Sequence, residues 1–256
     1  MRKLLSLFLF FLIFSSQVFS AENQKLLNVN WSFNGFFGTF DRAQLQRGYQ
    51  VYKEVCASCH SMKYLSYRNL SEKGGPEFSE AEVKALASQF QIKDGPNSDG
   101  EMFERPGLPS DKFKNPYPND NAARSVNGGA LPPDMSVIVK ARAGGANYIY
   151  SILMGYEEAP AGYKLDSGVY YNKYMSGNQI RMPKPISDGS VEYADGTSNS
   201  LSQISKDVTA FLTWAAEPHL EARKRIGFKT ILYLLIFSIL IFFSMKKIWS
   251  SIKSKV

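Results

Sequence analysis

Residues Cys56-Ala57-Ser58-Cys59-His60 carry the only two cysteines of the 256-residue chain and one of its two histidines. Thiols at i and i+3 lie on one side of a helical turn, so each can reach a different vinyl edge of one porphyrin and form a thioether. The histidine that follows is then placed beneath the iron as its proximal ligand. The chemistry served by this spacing is covalent attachment of a single c-type haem. A dithiol redox centre does not require the adjoining histidine. A structural zinc site wants four ligands, whereas the chain offers beyond the motif only the distant His219. With both thiols used in this way, none is left for a disulfide.

A six-coordinate haem of this type needs a second donor, usually a thioether or an imidazole. His219 follows Pro218 where the chain enters an apolar C-terminal segment, far from any pocket-like stretch. Of the eight methionines, Met1 belongs to a leader, Met245 lies at the far edge of the apolar segment, and Met62 is too near His60 to reach the opposite face. Met102, Met135, Met154, Met175 and Met182 remain. Met135 and Met154 fall in helical stretches, where methionine more often fills a core. Met182 sits in Gly177 to Pro185, where Pro183 and Pro185 stiffen an extended loop and remove backbone donors, a good way to hold a thioether against iron. Met175 is its chief rival on chemistry alone.

The elements that must position these groups are mainly helical. From Asp41, a plausible N-cap, Leu45, Gly48, Tyr49, Tyr52 and Val55 recur at three or four and deliver the chain into Cys56. Residues 22–40 read as an irregular aromatic lead. Residues 71–121 read as a long charged loop with one helical candidate from Glu80 to Phe90. A turn-rich approach, Asn127 to Asp134, precedes a helix expected over Met135 to Arg142, and a second is expected over Asn147 to Tyr156. Residues 157–199 return to loop. Ser200 with Gln203 resembles a capping box, opening a helix whose apolar face is Ile204, Val208, Phe211, Leu212 and Ala215.

Charge and hydropathy place the two ends. Residues 1–20 read as a signal peptide: Arg2 and Lys3, an apolar run from Leu4 to Phe14, then Val18-Phe19-Ser20 before Ala21. The segment from about Ile226 to Met245 is about 30 Å long as a helix, enough for a bilayer core. Flanking lysines and arginines do not orient it, so the signal peptide does, with the haem domain outside and the tail inside. The domains expected are thus 1–20 signal peptide, 21–222 haem domain, and 223–256 membrane anchor with a short basic tail. Of 30 basic residues, two lie in 1–20 and eight in 223–256, leaving the body with 20 against all 23 acids. No basic patch argues for nucleic acid. Between Glu72 and Glu104, eight acids stand against Lys73, Lys84 and Lys93, an excess suited either to solvation or to steering a basic partner.

Several stretches together resemble the cytochrome c1 family, the haem subunits of ubiquinol-cytochrome c reductase (the cytochrome bc1 complex). They are Cys56 to His60, Ala122-Ala123-Arg124 with Asn127 through Asp134, the loop Gly177 to Pro185, and Asp207 to Pro218 followed by one C-terminal span. The resemblance covers essentially the whole mature chain in order. It implies a mainly α, cytochrome c-like haem domain with long loops plus one C-terminal transmembrane helix. It also implies one haem c bonded to Cys56 and Cys59, axial ligands His60 and Met182, and Arg124 at a haem propionate, where guanidinium meets carboxylate well. The implied partners are cytochrome b, the Rieske iron-sulfur protein as donor, a soluble or anchored cytochrome c as acceptor, and the membrane. The chain lacks the extra cysteine pair of some bacterial relatives, so packing must hold the Met182 loop.

The expectation is a one-electron carrier of an inner membrane, single-pass, with its haem domain periplasmic and its tail cytoplasmic, making no bond in a substrate itself. A stand-alone tethered cytochrome c, as shuttle or oxidase subunit, is the first rival; a haem sensor with an open iron site is the second. Sequencing of the mature N-terminus should begin at Ala21. A chain that retains residues 1–20 contradicts the cleavage expected here.

Overall fold

A computed structural model describes residues 25–253, and the signal peptide expected over 1–20 lies outside the described residues. The order is α1 (Arg42–Glu54), α2 (Glu80–Ser88), the antiparallel pair β1 (Gln91–Asp94) and β2 (Phe103–Pro106), α3 (Asp120–Val126), and α4 (Gly145–Met154). A short antiparallel pair follows, β3 (Tyr170–Tyr171) with β4 (Gln179–Ile180), then α5 (Leu201–Ala216) and α6 (Leu220–Lys253). Single 3-10 turns lie at Cys56–Ser58, Tyr67–Ser71 and Ser176–Asn178. The fold is mainly α with long loops.

Asp41 opens α1 by accepting the Gln44 N–H at 3.1 Å, and Leu45, Gly48, Tyr49, Val51 and Tyr52 face inward. Ser200 opens α5 by accepting the Gln203 N–H. The two helices cross at Gly48, where a Cβ would lie 2.1 Å from the Asp207 carbonyl and 2.6 Å from the Phe211 Cβ. Only glycine allows that approach. Around it Tyr49 and Tyr52 meet Phe211 at 5.7 and 5.9 Å between ring centroids, and Phe113 extends the cluster to Tyr67 at 4.8 Å.

A buried ion pair sits at the edge of this crossing. The Asp207 carboxylate is fully buried and accepts from Arg47 Nε at 3.0 Å, Gln44 Nε2 at 3.1 Å and Gln203 Nε2 at 2.7 Å. Losing one partner of such a pair costs about 3–5 kcal/mol, because the other charge stays buried. These bonds give α1 and α5 one register.

The irregular lead is less passive than its composition suggests. Trp31, Phe33 and Phe40 are buried, Trp31 Nε1 donates to Asn147 Oδ1 at 2.8 Å, and the Leu27 N–H donates to Ser151 Oγ at 2.9 Å. The lead therefore straps α4.

Three expectations need correction. Residues 135–142 form turns rather than a helix: Met135 is drawn to Ser61 O, and the Ile138 and Lys140 N–H groups return three residues back, to Met135 O and Val137 O. The charged stretch after α2 holds the β1–β2 hairpin, which Arg105 pins through paired bonds to Asp111 and a contact with Asp94. Helix α6 starts six residues before the expected Ile226, at buried Leu220. It is long and apolar enough to cross a membrane.

Gly48→Ala separates packing from helix propensity. Propensity alone favours alanine by roughly 0.5–1 kcal/mol, whereas overpacking costs typically about 1–3 kcal/mol. The clash with the Asp207 backbone should dominate and lower the denaturation midpoint. An unchanged or raised midpoint contradicts the crossing described.

Candidate haem site

Helix α1 ends at Glu54 and tightens into the 3-10 turn Cys56–Ser58, with the His60 N–H donating to Cys56 O at 2.9 Å. The motif is thus the C-terminal continuation of the helix that crosses α5 at Gly48. Tyr52, buried one turn earlier, donates its hydroxyl to the His60 carbonyl at 3.2 Å. Cys56 and Cys59 are free and half-buried. Burial, with Cys59 adding to it, pushes the Cys56 thiol up to about 12, so at neutral pH it is a thiol.

His60 is buried, and its Nδ1 lies 2.8 Å from the Pro133 carbonyl. A carbonyl only accepts, so the proton is on Nδ1 and the lone pair is on Nε2. Desolvation lowers the pKa of the imidazole, outweighing the Pro133 carbonyl and the Asp134 charge, so the ring is neutral. A neutral imidazole whose second nitrogen is held by a carbonyl is the form a metal ligand takes.

The carbonyl is fixed in turn. Asp134 accepts from Ser61 Oγ at 2.7 Å, Lys63 N at 3.0 Å and Ser136 N at 2.9 Å, and the Met135 N–H donates to Ser61 O at 2.8 Å. Burial pushes the Asp134 carboxyl up, but these donors outweigh it and hold the pKa below the usual carboxylate value. Residues 133–136 are therefore zipped to 61–64. The donor set fits a c-type haem: two thiols three residues apart and a neutral, oriented imidazole.

Met182 lies on a braced loop. Asn172, fully buried, donates to Ile152 O at 2.7 Å and receives the Tyr174 N–H at 3.1 Å, while its own N–H reaches Asn178 O at 3.0 Å. The Tyr156 hydroxyl donates to the Met182 carbonyl at 3.0 Å, and Ile186, four residues on, is in the core. This packing serves where no disulfide is available. The Met182 side chain is half-buried. The rival Met175 has its sulfur 3.5 Å from the Tyr148 hydroxyl. Met62 is fully buried in the core, Met135 and Met154 pack against it, and Met102 is exposed beside the β1–β2 hairpin. His219 is exposed, beside Arg223 and Ile226 of α6.

Arg124, in the last turn of α3, is exposed and donates to Gly129 O at 3.2 Å. Arg181 donates to Gly128 O at 3.3 Å. Two guanidinium groups therefore flank one glycine turn, and this turn links the Met182 loop to the segment that holds His60. Arg181, Pro133 and Tyr156 carry parts of the site that motif spacing did not single out. Arg181 was legible only as the neighbour of Met182, and the other two roles depend on tertiary contacts.

Residues 31–252 match the Cytochrome C1 family. The chain belongs to that family. It is 53% identical over 239 residues to the cytochrome b/c1 of Bradyrhizobium diazoefficiens, covering 86% of this chain and 35% of that protein. It is 48% identical over 225 residues to the mitochondrial heme protein cytochrome c1-2 of Solanum tuberosum, covering 88% of this chain and 85% of the relative. It is 43% identical over 240 residues to cytochrome c1 of Rhodospirillum rubrum, covering 88% and 87%. The chain thus spans about a third of the Bradyrhizobium relative and most of the other two.

Asp134→Ala should accelerate amide exchange at Lys63 and Ser136 by at least about tenfold, since a hydrogen bond to a charged group is worth about 1.5–3 kcal/mol. Exchange at Leu45, in the core of α1, should not change. Unchanged protection at Lys63 and Ser136 contradicts the zipped arrangement.

Proposed function

We propose that this chain is the haem-bearing subunit of a cytochrome bc1 complex, passing single electrons from a Rieske iron-sulfur protein to a soluble or anchored cytochrome c, beside cytochrome b. Cys56 and Cys59 attach one haem c by thioethers, His60 and Met182 are its axial ligands, and Arg124 meets a propionate. Bound there, the haem supplies reversible one-electron exchange, with sulfur ligation raising its reduction potential. The chain makes no bond in a substrate. Residues 21–222 form the haem domain and 223–256 the anchor. The domain faces the periplasm, and the tail faces the cytoplasm.

The observation that carries this reading is the Cys56–His60 turn with His60 Nδ1 engaged and Nε2 left for a metal, in a chain of this family. Each residue then has a defined task. Pro133 O holds the imidazole proton and thereby the ring's orientation. Tyr52 holds the His60 backbone, and Tyr156 holds the Met182 backbone. The apolar packing of α1 and α5 keeps water from the buried side.

Mounting favours a fixed subunit over a tethered shuttle. Three residues separate α5 from α6. Across that joint Arg42 donates to both Glu221 carboxylate oxygens at 2.7 and 2.8 Å, and the Phe40 N–H adds a third bond at 2.8 Å. Such a joint leaves no flexible linker on which a shuttle could swing.

Two measurements test this reading. Met182→Leu should abolish the near-infrared band of sulfur-ligated ferric haem and lower the potential, while Met175→Leu keeps both; the reverse pattern overturns the ligand assignment. Purified in mild detergent, the chain should co-migrate with a b-type cytochrome and an iron-sulfur protein, and migration alone supports the shuttle.

A further inference from the structure

Four phenylalanines of the lead divide sharply. Phe33 and Phe40 are buried, whereas Phe36 is 49% and Phe37 78% exposed. The division follows from a tight, well-braced turn. The Asn34 N–H donates to Trp31 O at 3.0 Å and the Thr39 N–H to Ser32 O at 3.1 Å. Gly35 takes φ +72°, and a Cβ on Gly38 would lie 2.0 Å from the Asn34 carbonyl. Lys224, one turn into α6, clamps the same turn by donating to Phe33 O at 2.7 Å and Gly38 O at 3.1 Å. The outward rings are therefore held outward.

They are also held against α6. Phe36 and Phe37 each lie 6.0 Å from the ring of Phe228, edge-on, and Phe228 is itself 47% exposed. Phe228 precedes the uncharged apolar run Ile231 to Phe243 by three residues. The 20 residues from Phe228 to Lys247 rise about 30 Å, the thickness of a bilayer's hydrocarbon core. Phe228 thus falls at one hydrocarbon boundary, and the clamped turn lies at the same depth. Aromatic rings concentrate at that level. Exposed Arg225 and Lys229 place positive charge beside it, complementary to anionic headgroups, while Arg223 is paired with Glu217.

We propose that the turn carrying Phe36 and Phe37 is a second membrane contact, a fixed aromatic foot set into the headgroup boundary beside α6, with anionic lipid as its occupant. Lys224 holds the foot to the helix. Its consequence is mechanical: helix and foot together give the haem domain two attachments, which restrict its tilt about the helix axis. The continuity of the foot with the apolar helix and the positive charge beside it favour lipid over a protein partner.

The test replaces Phe37 by photoreactive p-benzoylphenylalanine in the full-length chain, in its own membranes and in vesicles of phosphatidylcholine with phosphatidylglycerol. The comparison position is Tyr64, which is 69% exposed and neighbours Ser136 and Lys112. Irradiation should yield lipid adducts at position 37 at least about tenfold above those at Tyr64, with more phosphatidylglycerol adduct than its share of the vesicle. Crosslinks from position 37 to another subunit instead of lipid would overturn the proposal. So would an absence of adducts, or equal lipid adducts at both positions.

Discussion

One hydrogen bond sets the chemistry of the Cys56–His60 segment. The Pro133 carbonyl, 2.8 Å from His60 Nδ1, admits only a protonated Nδ1, and burial disfavours a second proton on the ring. The imidazole is then a neutral donor with one lone pair in one direction. Remove that carbonyl and the ring could take either tautomer, rotate, or charge. The surrounding bonds converge on the geometry of that contact. Asp134 gathers Ser61, Lys63 and Ser136, Tyr52 fixes the histidine backbone from below, and the glycine turn at 128–129 ties the same segment to Arg124 and Arg181.

The contact is only as rigid as the helix that presents it. Helix α1 owes its placement to Gly48, which lets two backbones touch, and to the buried Asp207 that locks their register through Arg47. From that crossing the load path continues through α5, over the short joint at 217–219, to α6 and its grip on Arg42 and the aromatic turn. An electron carrier gains from such stiffness, because transfer depends on a repeatable edge presented to its partners. The Cys56–His60 turn and the long apolar helix are thus parts of one braced body.

Much of this was legible in the residues, for identifiable reasons. Helices α1 and α5 announce themselves by apolar residues at three and four and by Asp41 and Ser200 at their starts, local signals that the tertiary structure reinforces. The Cys56–His60 motif stands out because the covalent attachment proposed for it demands a fixed spacing. The expected helix at 135–142 gives way to turns: Asp134 ties the start of the segment to Ser61 and Lys63, more than 70 residues away, and the residues that follow close short bonds from Ile138 to Met135 O and from Lys140 to Val137 O. The β1–β2 hairpin was hidden by its charges, which pair with one another rather than mark a loop. The contact of the Tyr148 hydroxyl with the Met175 sulfur joins residues 27 positions apart and leaves no trace in spacing.

The account rests on Cys56 and Cys59 both being bonded to one porphyrin in the mature protein. The most direct measurement is mass spectrometry of the tryptic peptide Glu54 to Lys63, from protein made by cells competent in haem attachment and treated with a thiol-alkylating reagent before digestion. The account predicts a peptide carrying one haem, with neither cysteine alkylated. A peptide without haem and with both cysteines alkylated, or one attached through a single sulfur with the other alkylated, would contradict it.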